Sequence, residues 1–397
     1  MAKKKLLFVI ESLTLGGAEK SLVTLLNLFD YSKYDVDLLL FSQGGEFQQL
    51  LPEEVKLLPV PDQFEYASIA WKRPFKKLAH PLRMASQIGY SVLLRMKRRN
   101  HIEKAVLFWK TSHRRFGRLA ARYDAAIAYA QGVPTFFVAD KVEADQKLAW
   151  VNATYRPTGA YKAFIGRKYD AYDFVNCVST AIEEDYQKVF GIDAERTVCI
   201  MDILDVGFAL KMSEIRNDAS AEMNGDGVKI LTVGRICKMK RYDLAADAAK
   251  LLKERGVRFT WYVIGDGALR GEIEKRIAEN GIGGQFLLLG SRRNPYPYFK
   301  RCDLYVQTSD FEGFGITVSE AKMFRKPIVS TDFPAVGAQL ENEYDGLIVN
   351  IDARSIADGI ERMIEDKDLR DRCISNIGRE SLGNTNEIKK LYKLIDG

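Results

Sequence analysis

The chain has 397 residues, 47% of them hydrophobic and 28% charged, with a net charge of +6. These totals exclude a disordered or fibrous chain and suit two globular domains, at about 150 residues each. The five cysteines, Cys177, Cys199, Cys237, Cys302 and Cys373, are scattered without a CxxC pair, which excludes a disulfide scaffold and points to reduced core thiols.

The chain opens with "KKKLLFVI", a basic then apolar run that stops at Glu11. It is too short for a signal peptide or a membrane span and predicts a strand over 5–10, so the expected location is cytoplasmic. The strand is followed by "LTLGGAEKS" (13–21), in which Gly16 and Gly17 open a helical pattern from Ala18 to Leu28. This loop matches neither GxGxxG nor GxxxxGK[ST], so it carries no dinucleotide or triphosphate signature. Next comes "DVDLLLF" (35–41), where alternation puts Asp35 and Asp37 on one strand face. A solvated sheet edge accounts for them better than a metal site.

From Lys72 to Arg122 there are 15 Lys and Arg against one acid, Glu103. That is +14 within a chain of +6, so the remainder carries −8. Aromatic and aliphatic residues interleave with these cations, as in helices that lie on anionic membranes. No nucleic-acid module accompanies the charge. The three histidines, His80, His101 and His113, all fall in this segment and read as surface or interfacial residues.

Short apolar strands then resume at "DAAIAYA" (124–130), "KLAWVNA" (147–153) and "DFVNCVS" (173–179), with a helix over Thr180–Val189. The polar stretch "RNDASAEMNGDG" (216–227) reads as a linker or surface loop. Beyond it the alternation restarts with "VKILTVG" (228–234), "FTWYVIG" (259–265), "QFLLLG" (285–290), "DLYVQTS" (303–309), "PIVST" (327–331) and "GLIVN" (346–350). Helices from about Tyr242 to Arg255 and up to about Asn280 lie between the early strands, and further helices run from about Ser355 to the end. Near-continuous apolar strands separated by helices predict buried parallel sheets. Two doubly wound α/β domains place ligands at the carboxyl ends of their strands, in the cleft between them.

Two stretches in the second half carry chemistry. In "TSDFEGFGITVSEAK" (308–322) the carboxylates Glu312 and Glu320 are eight positions apart, on the order of 12 Å if helical. That is too far for one acid–base pair and suits two anchors on an elongated ligand. Between them the N–H groups of Phe314, Gly315, Ile316 and Thr317 form a helix mouth that attracts phosphate. In "VGRICKMKRYD" (233–243), Arg235, Lys238, Lys240 and Arg241 follow a strand end and could neutralise a diphosphate. A capped helix and a solvated basic loop are the bland alternatives. "GDGALRGE" (265–272) reads as a turn into a helix.

Together these motifs, with "GSRRNPYPYFKRCDLYVQTSDFEGFG" and "NEYDGLIV", resemble retaining glycosyltransferases of family four (glycosyl transferases group 1). The likeness spans most of the chain and is specific from Val228 to about Asn350. It implies the GT-B fold, two facing Rossmann-like domains with an interdomain cleft: residues 1–206 on the acceptor side, 207–380 binding a nucleotide-diphosphate sugar, and 381–397 a terminal helix packing back on the first domain. By the same resemblance Arg235 and Lys240 hold the donor diphosphate, and Glu312 contacts the donor sugar. Phe314, Gly315 and Ile316 offer amides, and Glu320 binds the ribose. Arg292 and Arg293 meet the base, while Gly16 and Gly17 allow close approach. No metal or other cofactor is implied; the acceptor is a glycan or lipid-linked sugar, with the inner membrane face as a partner of 72–122.

Two positions depart from the family. Asn152 stands where many relatives carry a His, and Asp202 where the family pattern has Asn. A nucleotide-sugar epimerase of the same fold, or a non-catalytic nucleotide-sugar-binding subunit, are the competing readings.

Overall fold

The computed structural model describes residues 2–14, 16–45, 47–61, 100–214, 219–378 and 382–397. They form two compact units, Met1–Asp202 with Asn386–Gly397, and Ile203–Thr385. In the first unit β1 (Lys4–Ile10), β2 (Tyr34–Leu40), β3 (Lys56–Leu57), β4 (Arg122–Ala128), β5 (Glu143–Val151), β6 (Phe174–Cys177) and β7 (Thr197–Cys199) pair in the order β3-β2-β1-β4-β5-β6-β7. In the second, β8 (Val228–Val233), β9 (Phe259–Ile264), β10 (Phe286–Gly290), β11 (Leu304–Gln307), β12 (Ile328–Thr331) and β13 (Leu347–Val349) pair in the order β10-β9-β8-β11-β12-β13.

Every strand pairing within both sheets is parallel. The cause is visible in composition: helices cover both faces of such a sheet, so its central strands must be apolar throughout. All six residues of β9 are buried, as are Leu6–Ile10 of β1. Each run read as a strand overlaps one; β3 and β7, short edge strands, had no apolar run to announce them.

The terminal helix Ile388–Asp396 belongs to the first unit. Its Tyr392 ring stacks on Tyr34 at 5.1 Å, and its hydroxyl accepts from the Asp30 amide at 2.8 Å. Lys4 Nζ donates to the Ile395 carbonyl at 2.8 Å, tying the helix to the start of β1.

Two expectations change. Asp37 is not on a solvated edge: β2 lies between β3 and β1, and Asp37 is buried, accepting from the Tyr123 hydroxyl at 2.9 Å with Lys5 Nζ at 3.7 Å. Asp35 is exposed, beside Lys3 at 3.4 Å. The stretch 216–227 is not a plain loop either. Ala219–Glu222 is helical, and Ala219 and Met223 are buried. Of the basic segment, 72–99 with His80 lies outside the described residues, as does the side chain of His101. In the described remainder the helix His101–Ser112 starts with an Asn100–Glu103 capping box, and its apolar side, Ile102, Val106 and Trp109, is buried. Trp109 Nε1 donates to Asp140 at 2.8 Å and its carbonyl contacts His113 Nδ1 at 3.0 Å. This helix therefore directs its apolar residues into the core.

Lys322, in the last turn of the helix Ile316–Met323, meets Asp345 at 2.5 Å with side-chain exposures of 9% and 5%. Asp345 also accepts from the Glu341 amide at 2.8 Å, so one carboxylate fixes both the helix and the turn before β13. Removing a single partner of such a pair leaves an uncompensated buried charge, which costs about 3–5 kcal/mol. Asp345→Ala is therefore expected to raise hydrogen exchange across β12 and β13 and to lower the urea midpoint of the second unit. Unchanged exchange there would show the pair to be dispensable.

Candidate functional site

Strand order in the second sheet reverses between β8 and β11, which are neighbours although distant in sequence. At such a reversal the loops leaving the two strands diverge and open a crevice at their carboxyl ends. The loop after β8 is Gly234–Arg241 and that after β11 is Thr308–Gly315. They are stitched together: Thr308 Oγ1 donates to the Lys240 carbonyl at 2.8 Å, and the Asp310 amide to the Met239 carbonyl at 2.9 Å.

The β8 loop is shaped by "GDG" from the neighbouring strand. A Cβ on Gly265 would lie 1.9 Å from the Gly234 carbonyl oxygen, and one on Gly267 would lie 2.2 Å from that of Ile236. Only glycine allows this approach, and Gly265 has a φ of +151° besides. What looked like a turn motif is the support of the Arg235 loop. Arg235 itself is exposed and forms no ion pair among the described residues. Arg241 adopts a φ of +48° and pairs with Asp243 at 2.9 Å.

Lys240 Nζ meets Glu312 Oε1 at 2.5 Å, with side-chain exposures of 18% and 13%. The same oxygen accepts from Gln307 Nε2 and Ser309 Oγ, each at 2.5 Å. A charge pair near 4 Å is worth on the order of 4 kcal/mol at an effective dielectric near 20, before desolvation is subtracted. A diphosphate carries more charge than one carboxylate and can therefore compete for Lys240.

Just beyond Glu312 the helix Ile316–Met323 begins. Its N-cap, Gly315, has a φ of +88° and supplies no side-chain cap. The first N–H groups of the helix thus have no capping side chain, which is the arrangement that attracts an anionic oxygen. Phe314 is buried beside it. Glu320, one turn in, is 3% exposed. It hydrogen-bonds Tyr296, whose hydroxyl pKa is raised by burial and by the Glu320 charge.

Arg292, after β10, is gripped by Glu222 and by the Tyr298 hydroxyl, the latter at 3.1 Å. Burial works against the Glu222 carboxylate, but hydrogen bonds from Arg292 and Tyr298 outweigh it and hold its pKa below the ordinary value. Arg293 is exposed. The structure thus joins Lys240 and Glu312 directly, sets Phe314, Gly315 and Ile316 at the adjoining helix start, and gives Arg292 and Glu320 separate partners. Sequence reasoning missed Glu222, Gln307, Ser309 and Tyr296. The first had a signal, an acid in a stretch dismissed as linker; the others are ordinary strand and helix residues.

In the first unit, Gly16 and Gly17 lead into the helix Gly17–Asn27. A Cβ on Gly16 would meet the Glu19 carboxylate at 2.1 Å. Asn152 follows β5: its amide nitrogen donates to the Tyr129 carbonyl at 3.2 Å, and its backbone N–H to Gln131 Oε1 at 3.1 Å. Its own Oδ1 is buried without a hydrogen-bond partner among the described residues. Ser21 Oγ and the Tyr129 hydroxyl are 2.9 Å apart. Asp202 joins this group through Ser21 and is 5% exposed; burial pushes its carboxyl up to about 7.

Residues 213–379 match the family model described as glycosyl transferases group 1. The N-acetylgalactosamine-N,N'-diacetylbacillosaminyl-diphospho-undecaprenol 4-alpha-N-acetylgalactosaminyltransferase of Campylobacter jejuni is 28% identical over 53% of this chain and 55% of its own length. The alpha-D-kanosaminyltransferase of Streptomyces kanamyceticus is 29% identical over 37% of this chain and 39% of its own. The chain spans about half the length, or less, of these curated relatives. Among solved structures, Anabaena HepE in complex with UDP aligns over 99% of both chains with a TM-score of 0.65 and 16% identity. TarM aligns over 100% of this chain and 99% of its own, with a TM-score of 0.68 and 15% identity. The fold is that of these GT-B structures.

Asp202 yields a pH prediction. Its folded pKa lies above the 3.8 of an ordinary Asp, so its contribution is fully present below pH 3.8 and is lost as pH rises toward 7. About three units at 1.36 kcal/mol each amount to roughly 4 kcal/mol lost above pH 7. Asp202→Asn cannot ionise and is expected to be more stable than the parent at pH 8, with a flatter melting profile between pH 4 and 7. Identical profiles for the two proteins would refute the assignment.

Proposed function

We propose that the chain, whose residues 213–379 match the glycosyl transferases group 1 model, transfers a hexosyl group from a nucleotide-diphosphate sugar, with retention at the anomeric carbon, to a glycan or lipid-linked acceptor. The observation that carries the reading is the Lys240–Glu312 pair at the strand-order reversal, beside the start of the helix Ile316–Met323. Arg235 and Lys240 take the diphosphate, with the N–H groups at Gly315 and Ile316. Glu312, released from Lys240, accepts from hydroxyls of the donor sugar, and Glu320 does so from the ribose. Arg292 and Arg293 border the base.

The bond from the anomeric carbon to the β-phosphate oxygen breaks as the acceptor oxygen bonds to that carbon on the same face. The acceptor proton passes to the departing phosphate oxygen. The negative charge that develops there is met by Arg235, by Lys240 once it has passed from Glu312 to the diphosphate, and by the helix N–H groups. The leaving group itself serves as base, so Asn152 in place of a His does not stop the reaction. The mechanism asks for no metal. Synthesis of a cell-surface polysaccharide or glycolipid is the setting that suits such acceptors, and the charge of 72–122 suits reversible attachment to an anionic membrane.

In a thermal-shift series with UDP, GDP, ADP and their sugar conjugates, one nucleotide is expected to raise the melting temperature equally with and without EDTA. At about 100 times its dissociation constant the gain is roughly 2.7 kcal/mol. Arg235→Ala is expected to weaken that shift and to cut turnover by roughly 100-fold. Glu312→Gln should keep the diphosphate shift while abolishing transfer. No shift with any nucleotide would sink the site; release of free sugar without an acceptor would favour the epimerase. Salt-sensitive pelleting on anionic liposomes tests the membrane attachment.

A further inference from the structure

We propose that Gln307 is a positioning residue for Glu312: it holds the carboxylate in place when Lys240 leaves it for the donor diphosphate. The inference rests on the transferase reading above and concerns what keeps its central acid aimed.

Gln307 is the last residue of β11 and is 1% exposed, following the buried Tyr305 and Val306. An apolar side chain is the ordinary occupant of such a place, and a buried amide is tolerated only if its groups are bonded. Here they all are. Its Oε1 accepts from the Tyr305 hydroxyl at 2.5 Å and from Thr317 Oγ1 at 3.2 Å. Its Nε2 donates to Ser309 Oγ at 2.8 Å and to Glu312 Oε1 at 2.5 Å. Ser309, fully buried, accepts from Gln307 and passes its own proton toward Glu312 Oε1 at 2.5 Å.

The donor and acceptor pattern admits one amide orientation. Turning the amide over would set its carbonyl oxygen against the Glu312 carboxylate, two acceptors facing each other. Tyr305 comes from the strand, Thr317 from the first turn of the helix, and Ser309 and Glu312 from the loop between them. Gln307 therefore reads the positions of all three and fixes the acid relative to the helix start.

The consequence is a division of labour on one carboxylate. Oε1 takes three protein donors, whereas Oε2 takes none among the described residues. Oε2 is the atom left for a sugar hydroxyl. Lys240 is the only charged donor on Oε1 and the one a diphosphate can draw off; Gln307 and Ser309 are neutral and have no reason to follow it. With both in place the carboxylate stays aimed after Lys240 changes partner. Without Gln307 the acid is free to swing with the lysine, away from the sugar.

Gln307→Leu keeps the volume and removes the donors. Turnover of UDP- and GDP-sugars by the variant is expected to fall roughly 10- to 100-fold, the usual penalty for a misplaced reactive group. The fall should lie in kcat, with the dissociation constants of free UDP and GDP changed by less than about twofold, since the diphosphate does not touch Gln307. Ser309→Ala should show the same split more weakly. A merely structural role would weaken diphosphate binding and turnover together, and that result overturns the proposal, as does unchanged turnover.

A ligand-free measurement separates this inference from the transferase reading. In melting of Gln307→Leu, Glu312→Gln and the double variant, the clamp requires the second substitution to cost less after the first. Additive losses refute the clamp whatever the activity. Coupled losses in a protein that proves to bind no nucleotide uphold the clamp and refute the transferase reading.

Discussion

The second unit depends on a contact between strands that are far apart in sequence. Lys240 leaves β8, Glu312 leaves β11, and 2.5 Å separates their charged atoms. The parallel sheet makes this possible: β8 and β11 lie side by side with their carboxyl ends together, so two loops of opposite charge emerge at one place. Because both side chains are mostly shielded from water, the pair is costly to form unless its remaining lone pairs find donors. Gln307 and Ser309 meet that demand on Oε1. The same neutral donors that make the pair affordable also make the carboxylate independent of the lysine.

Much of this was legible beforehand. The apolar runs gave the parallel strands because burial on both faces leaves no room for polar alternation, and β9 shows the limit with every residue buried. Glu312 with its glycine bend stood out as an anchor beside a helix mouth, and Lys240 as one of several cations at a strand end; a cap and a solvated loop explained each equally well until the motifs were read together. What escaped was of another kind. Gln307 lies in "DLYVQTS", where a single polar residue in an apolar strand looks like the strand's end. Its role depends on Thr317, ten residues on, and on Tyr305 beneath it. Glu222 was hidden by composition: Asn, Asp and Gly around it signal a loop, while its grip on Arg292 spans seventy residues. Asp37 failed for the reason that alternation names a face but not what covers it.

One of the three non-glycine residues with positive φ among the described residues lies in these loops, the others being Arg325 and Glu343. Arg241 adopts a left-handed φ of +48° between the cationic turn and the helix Tyr242–Glu254. For a residue with a Cβ this costs roughly 1–2 kcal/mol. The cost is offset locally: its guanidinium pairs with Asp243, and the carbonyl before it accepts from Thr308. A relaxed helical φ at 241 would turn the preceding residue, Lys240, away from Glu312. The unfavourable backbone therefore has a counterpart in side-chain geometry, as is common where a fold must aim a charge.

The first unit solves a different electrostatic problem. Asp202 sits almost wholly buried with Ser21 as its hydrogen-bonding partner, and burial pushes its carboxyl to about 7. An amide at this position would avoid ionisation altogether. The chain instead places an acid that is neutral below pH 7 and charged above it, one bond from the helix that Gly16 and Gly17 begin. As a neutral acid, Asp202 can donate where an ionised one only accepts. Ser21 bonds both Asp202 and Tyr129, so the change is felt by the residue whose carbonyl holds Asn152. Asp202 and Asn152 are thus linked through Ser21 and the two ends of Tyr129, its hydroxyl and its main-chain carbonyl, so the ionisation of one bears on the setting of the other.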